Sequence, residues 1–223
     1  MIDIIIPTYR RAERIAAVAR NAHEATTTDH RVWFVVELDD EDSIHAADDA
    51  GEGVIVNLRS RNYAGAMNAA YERLDSDWLF AGADDLEFFP GWDAEILARV
   101  DADNWFGIYG TNDLLNPYVL AGHHATHYLV ARWYLDDLGG TVDGGPGSFM
   151  HEGYGHNYTD TELIGTAKAR SRFRPVLLSI VRHLHQSAGL TPHDATHVKA
   201  EASYGADSEL YDLRRPLWQN LSR

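Results

Sequence analysis

The apolar positions of this chain alternate between short unbroken runs and stretches with helical spacing. Residues 2–6 form an apolar run, broken only by Asp3 and closed by Pro7, which reads as a buried strand. Residues 11–25 place Ile15, Val18, Ala19 and Ala22 on one helix face. Residues 32–36 make a second strand, closed by the acidic stretch 37–42, and residues 53–56 a third. Asn62 has the character of an N-cap, with Met67, Ala70, Tyr71 and Leu74 on one face of the helix it starts. Trp78–Ala81 is a fourth strand. This β-α-β-β-α-β order, with continuously apolar strands, predicts an α/β fold whose mostly parallel central sheet is flanked by helices.

The second half is less regular. Residues 106–109 and 128–131 read as strands, and residues 160–170 as a helix with Leu163, Ile164 and Ala167 on one side. Between them the Gly-, Asn- and His-rich segment GGTVDGGPGSFMHEGYGHNYTD, residues 139–160, is expected to be a mobile loop or lid. Residues 176–181 are apolar and run into Arg182-His183-Leu184-His185. The tail, 191–223, has a weak helical pattern. With no internal repeat and no linker, one domain over residues 1–223 is expected.

Composition narrows the functional classes. The chain has 223 residues and no cysteine, which excludes disulfide partners and thiolate metal sites. Its formal net charge is −15, with Lys168 and Lys199 as the sole lysines, so tight non-specific binding to duplex DNA or an anionic membrane is disfavoured. Met1 leads straight into IDIIIP, too short for a signal peptide or a membrane span, so a soluble cytoplasmic protein is expected.

Parallel sheets bind ligands beyond the carboxyl ends of their strands. Polar clusters follow all four early strands: Pro7-Thr8-Tyr9-Arg10-Arg11, Glu37-Leu38-Asp39-Asp40, Arg59-Ser60-Arg61-Asn62 and Asp84-Asp85-Leu86-Glu87. The last lies in LFAGADDLEFFPGW, residues 79–92, where adjacent carboxylates end an apolar run. Like charges repel there unless something positive sits between them.

These pieces together resemble the family-2-type inverting glycosyltransferases with the GT-A fold. The resemblance rests on IDIIIPTYRR, VVELDDEDS, RNYAGAMNAAY, GADDLEFFPGW, YTDTEL and the HLH at 183–185, in family order from residue 1 to about 185. The ADD…PGW and HLH pieces look most like the small phage-type members. The resemblance implies a nucleotide-sugar-binding half (1–90), an acceptor and catalytic half (91–190) and a C-terminal extension (191–223). It also implies transfer of a sugar from a nucleoside-diphosphate donor, with UDP the commonest in the family, to an acceptor hydroxyl with inversion. Mn²⁺ or Mg²⁺ would compensate the diphosphate charge.

Carried onto this chain, the resemblance assigns Asp85 to the metal and Asp84 to donor sugar or ribose hydroxyls, with Glu87 as an outer neighbour. The family usually writes Asp-x-Asp here, and this chain has Gly82 where the first Asp would fall. Pro7, Thr8 and Tyr9 would wall the nucleoside pocket. Glu37 or Asp39 would accept from base or ribose. Arg61, or alternatively Arg59, would reach the diphosphate, with Asn62 capping the helix and Gly65 permitting close approach to the donor or to a packing neighbour. Asp160 would be the general base, although an Asp in a first helical turn is also a routine partner of the helix dipole. Glu162 is its alternative, with His156 nearby. His183 and His185 share a face if they lie on a strand, and His185 is taken as the metal ligand. His123, His124 and His127 would line the acceptor side with Asn112 and Asp113; His193 and His197 carry no assigned role.

The acceptor class, whether glycan, protein, small molecule or modified DNA base, is left open. A nucleotidyltransferase would carry a Gly-rich phosphate loop that PTYRRAER lacks, and a dehydrogenase a G-x-G-x-x-G after the first strand. A catalytically silent nucleotide- or glycan-binding module could use Trp78, Trp92, Trp105 and Trp133 for sugar stacking.

Overall fold

The computed structural model describes residues 1–103 and 107–222. The elements run β1 (Ile2–Pro7), α1 (Ala12–Ala25), β2 (His30–Glu37), α2 (Glu41–Asp49), β3 (Gly53–Asn57), α3 (Tyr63–Arg73), β4 (Trp78–Ala81), β5 (Leu86–Phe88) and α4 (Trp92–Asp103). They continue through β6 (Ile108–Asn112), α5 (Pro117–Leu120), β7 (Tyr128–Ala131), α6 (Arg132–Leu138), α7 (Thr159–Ala169), β8 (Phe173–His183), α8 (Ala195–Arg214) and α9 (Pro216–Gln219). The eight strands join in the order β3-β2-β1-β4-β7-β6-β8-β5.

The sheet is mixed. The pairs β3–β2, β2–β1, β1–β4 and β6–β8 are parallel, whereas β4–β7, β7–β6 and β8–β5 are antiparallel. The early parallel strands are near-continuously buried, as their unbroken apolar runs require. Asp3 is the exception inside β1. It is fully buried and accepts from Arg31, its cross-strand neighbour on β2, and from the Trp33 indole N–H.

Several expectations are corrected. A helix, α2, stands between β2 and β3, where the expected β-α-β-β-α-β order has none. Asp40 caps it through the Ser43 amide, with Glu41 and Asp42 in its first turn. Trp78 and Trp92 are core residues, 9% and 1% exposed, so they offer no sugar-stacking face; Trp92 packs against Phe80 and Phe88 with ring centroids 4.5 and 5.4 Å away. Trp133 is 46% exposed, and Trp105 and Phe106 lie outside the described residues. The segment 139–160 is anchored by side chains. Asn68 bonds both the amide and the carbonyl of Met150, and Asn62 donates to the carbonyls of Glu152 and Tyr154. The weakly patterned tail contains the 20-residue α8.

The tail attaches through buried charge. Arg214 grips both oxygens of Glu162, at 2.7 and 2.8 Å, and both oxygens of Asp143. The Glu162 side chain is 1% exposed and also accepts from Tyr154. Removing one partner strands the other charge without solvent. Arg214→Ala is therefore expected to lower unfolding free energy by about 3 kcal/mol in denaturant titration. The double replacement Arg214→Met with Glu162→Leu should restore most of that loss.

Candidate active site

The carboxyl ends of β1, β2, β3 and β4 meet on one edge. After β1, Thr8 Oγ1 donates to Asp84 Oδ2 at 2.7 Å and Arg11 Nη1 to Asp84 Oδ1 at 2.7 Å. Both Thr8 and Arg11 are buried. Arg11 turns its other nitrogens to Asp194, at 2.8 and 2.9 Å, so one guanidinium bridges two carboxylates. Burial pushes the Asp84 carboxyl up; Arg11 opposes that push and the adjacent Asp85 adds to it.

Asp85 has a different partner. Its Oδ1 lies 3.4 Å from His183 Nε2. The β5–β8 ladder sets this distance, because Leu86 pairs with His183 and the Leu184 amide donates to the Asp85 carbonyl. Burial alone would raise the Asp85 carboxyl, but His183 first and Arg11 after it outweigh burial and hold it well below the usual carboxylate range. His127 packs edge-on against His183, ring centroids 5.0 Å apart, and its Nδ1–H donates to the Ala81 carbonyl at 3.1 Å. Geometry favours the N–H on Nδ1, since the Ala81 carbonyl only accepts. Burial drives His127 down to about 4, so it is neutral at physiological pH, and its buried Nε2 has no partner. His185 stands one step further out, its ring 5.0 Å from that of His183 and its Nδ1 bonded to Ser187. Glu87, on β5, pairs instead with Arg182.

Gly82 explains the departure from Asp-x-Asp. A Cβ there would lie 2.8 Å from the Ile5 carbonyl oxygen, so no side chain fits. Gly65 is likewise a packing glycine, since its Cβ would meet the Ser60 carbonyl at 2.0 Å.

The nucleoside-side residues gather around Tyr9. Arg61 lies over the Tyr9 ring, 5.6 Å from its centroid, and pairs with Asp39 at 2.5 Å and Glu37 at 3.3 Å. Arg10 covers the same ring at 5.0 Å. Pro7 ends β1 in register with Val35. Asn62 is occupied as the α3 cap, accepting from the Gly65 amide while its amide group holds the 152–154 backbone. Arg59 is committed to Glu72 and Glu152.

Asp160 sits in the first turn of α7 with its side chain 26% exposed. Tyr158, at the N-cap position, adopts φ 65°, a left-handed conformation that costs a bulky residue free energy. Asp160 Oδ2 meets His124 Nε2 at 3.0 Å, and Oδ1 accepts the Thr161 amide. Burial favours the neutral acid, but His124 and the amide prevail and keep the carboxyl below its ordinary value. Tyr63 connects the two halves. Its phenol, raised first by burial, is within electrostatic reach of both Asp160 and Asp85. Glu162 is excluded from solution chemistry by its Arg214 and Tyr154 contacts.

Arg11, His124, His127 and Asp194 belong to this site in ways the sequence reading did not assign. For Arg11 the adjacent Arg10, which is exposed, shows that nothing local distinguishes the buried arginine of the pair. For Asp194, 183 residues from Arg11, no local signal exists. Among the described residues no three His, Asp or Glu side chains form a ready metal cage. The donor set does fit a divalent cation that takes its other positions from phosphate and water: an ionised buried carboxylate, Asp85, faces an imidazole, His183.

The family model for glycosyl transferase family 2 matches residues 3–154, and the chain belongs to that family. Its fold is that of GT-A glycosyltransferases. Glucosyl-3-phosphoglycerate synthase from Mycobacterium tuberculosis, solved with Mn²⁺, UDP-glucose and phosphoglyceric acid, superposes with a TM-score of 0.63 at 10% identity, over 89% of this chain and 74% of that one. The same enzyme with Mg²⁺ and UDP gives 0.62 at 12% identity, over 89% and 74%. A mannosyltransferase from Pyrobaculum calidifontis, solved with GDP-mannose and Mn²⁺, gives 0.63 at 14% identity, over 99% and 73%. Identities this low establish the shared fold. The comparison with curated protein sequences gives no match. Among the described residues no helix is long and apolar enough to cross a membrane.

The Asp160–His124 pair has a measurable signature. Burial lowers the His124 ring, and Asp160 more than reverses this, so its folded value lies above the ordinary 6.5. The stability it contributes is present below that unfolded value and is lost as pH rises through the folded one. Histidine titration by NMR should place His124 above 6.5 in the parent and clearly lower in Asp160→Asn, which removes the partner that most strongly raises it.

Proposed function

We propose that this chain is a metal-dependent inverting glycosyltransferase, moving a sugar from a nucleoside-diphosphate donor to an acceptor hydroxyl. The observation carrying this reading is a pair of aspartates, Asp85 buried and Asp160 partly exposed, each facing its own histidine, His183 at 3.4 Å and His124 at 3.0 Å, with both carboxyls held below their ordinary range and within electrostatic reach of one tyrosine, Tyr63. One carboxylate suits a cation and the other a proton.

Asp85 and His183 would hold Mn²⁺ or Mg²⁺, a role the sequence reading gave to Asp85 and His185. The cation would neutralise charge on the departing diphosphate. Asp84 already accepts from Thr8 and Arg11, and its remaining lone pairs would take donor sugar or ribose hydroxyls. Tyr9 offers a ring for a base once Arg61 moves aside. Glu37 and Asp39, released from Arg61, would then accept from base or ribose, while Arg61 would turn to the diphosphate. UDP is the first donor base to test, with GDP next.

Asp160 would receive the acceptor proton at Oδ2, the oxygen facing His124. His124 holds that carboxylate in place, and its charge keeps Asp160 ionised before the hydroxyl arrives. Loss of the base should cost rate and leave donor binding alone. Asp160→Asn is expected to lower kcat by about 10³-fold or more with the donor Kd unchanged in calorimetric titration. Asp85→Ala should instead weaken donor binding in Mn²⁺ to the level the parent shows in EDTA. Full transfer by Asp160→Asn would overturn the assignment of the base, and metal-independent donor binding by the parent would overturn that of the cation.

A further inference from the structure

Helix α8 lies beyond the stretch matched by the family model, yet it touches both sides of the site. At its N-terminus, Asp194 caps the helix through the amides of Thr196 and His197. The same carboxylate takes two hydrogen bonds from Arg11, the residue that grips Asp84. A turn later, Lys199 Nζ donates to the Arg61 carbonyl at 2.7 Å. Further along, Asp207 is 3% exposed and accepts from three successive backbone amides, Gly155, His156 and Asn157, at 2.6, 3.0 and 2.8 Å. Asn157 also donates to the α8 carbonyl of Ala200. Tyr211 stacks on Tyr158 at 4.9 Å, and Tyr204 bonds the Tyr158 hydroxyl. Tyr158 is the left-handed residue from which α7 and Asp160 begin.

We propose that α8 positions both halves of the reaction centre: Asp194 sets Asp84 through Arg11, and Asp207 sets Asp160 through the 155–158 backbone. Neither residue reaches the reacting atoms; each acts by fixing another. Without Asp194, Arg11 loses two of its three hydrogen bonds and can leave Asp84, which then meets the donor unaligned. Without Asp207, three amides lose their acceptor, the strained Tyr158 relaxes, and Asp160 drifts from the acceptor hydroxyl. The inference rests on the roles proposed above for Asp84 and Asp160. It predicts opposite kinetic signatures from two residues on one helix, which a purely stabilising helix would not produce.

The test measures donor Kd by calorimetry, single-turnover kcat and melting temperature for Asp194→Asn, Asp207→Asn and a control, Asp212→Asn. Asp212 is exposed and pairs only loosely with Arg215, at 3.7 Å. Asp194→Asn should weaken donor binding about tenfold with kcat nearly unchanged. Asp207→Asn should lower kcat roughly a hundredfold with donor Kd unchanged. If Asp207→Asn is too unstable to assay, Asn157→Ala loosens the same loop and carries the same expectation. Equal losses in both parameters, tracking melting temperature, would overturn the proposal, as would parental kinetics in both variants. A parent chain that binds no nucleotide sugar would instead overturn the glycosyltransferase reading itself.

Discussion

Asp84 and Asp85 leave an all-apolar strand for a pocket where each is less than a tenth exposed. Two like charges one peptide apart cannot both stay ionised there without separate compensation. The fold supplies it from opposite directions. Thr8 and Arg11 come from the turn after β1 and take Asp84, while His183 comes from the end of β8 and takes Asp85. Arg11 is itself buried, so it needs the second carboxylate, Asp194, which draws in α8. A large part of the molecule is arranged around giving two adjacent carboxylates separate partners.

The topology makes this possible. Parallel pairing of β1, β2, β3 and β4 delivers four strand ends to one edge, and the loops there carry the residues that gather around Tyr9 and Asp84. The antiparallel insertion of β7 beside β4 does the complementary work. It brings His127 behind Asp85 and, through the preceding loop, His124 against Asp160. A wholly parallel sheet would place that loop at the opposite edge. The mixed sheet is thus the feature that brings the residues around Asp84 and Tyr9 together with His127, His124 and Asp160.

Electrostatics assigns distinct work to similar groups. Asp84 is raised, Asp85 and Asp160 are lowered, His124 is raised and His127 is lowered. Burial acts on every one of them; the sign of the outcome follows from which neighbour faces each. Glu162, two residues from Asp160, has equivalent chemistry in the sequence but is sealed under Tyr154 and Arg214.

Local pattern alone determined the early strands, α1, α3 with its Asn62 cap, α7, and the convergence of polar clusters at strand ends, because period and capping are properties of adjacent residues. The ordered motifs also fixed the family. The tail and α2 were faint because both are held by polar contacts: α2 shows little but small residues and acids, and α8 binds through Asp194, Asp207 and Arg214 with no long apolar stripe. Only the tertiary structure decided that His183 rather than His185 faces Asp85, that Gly82 has no room for a carboxylate, and that Arg11 is clamped from the far end of the chain. Those outcomes depend on strand register and on contacts between residues far apart in the sequence, and a linear pattern carries no information about either.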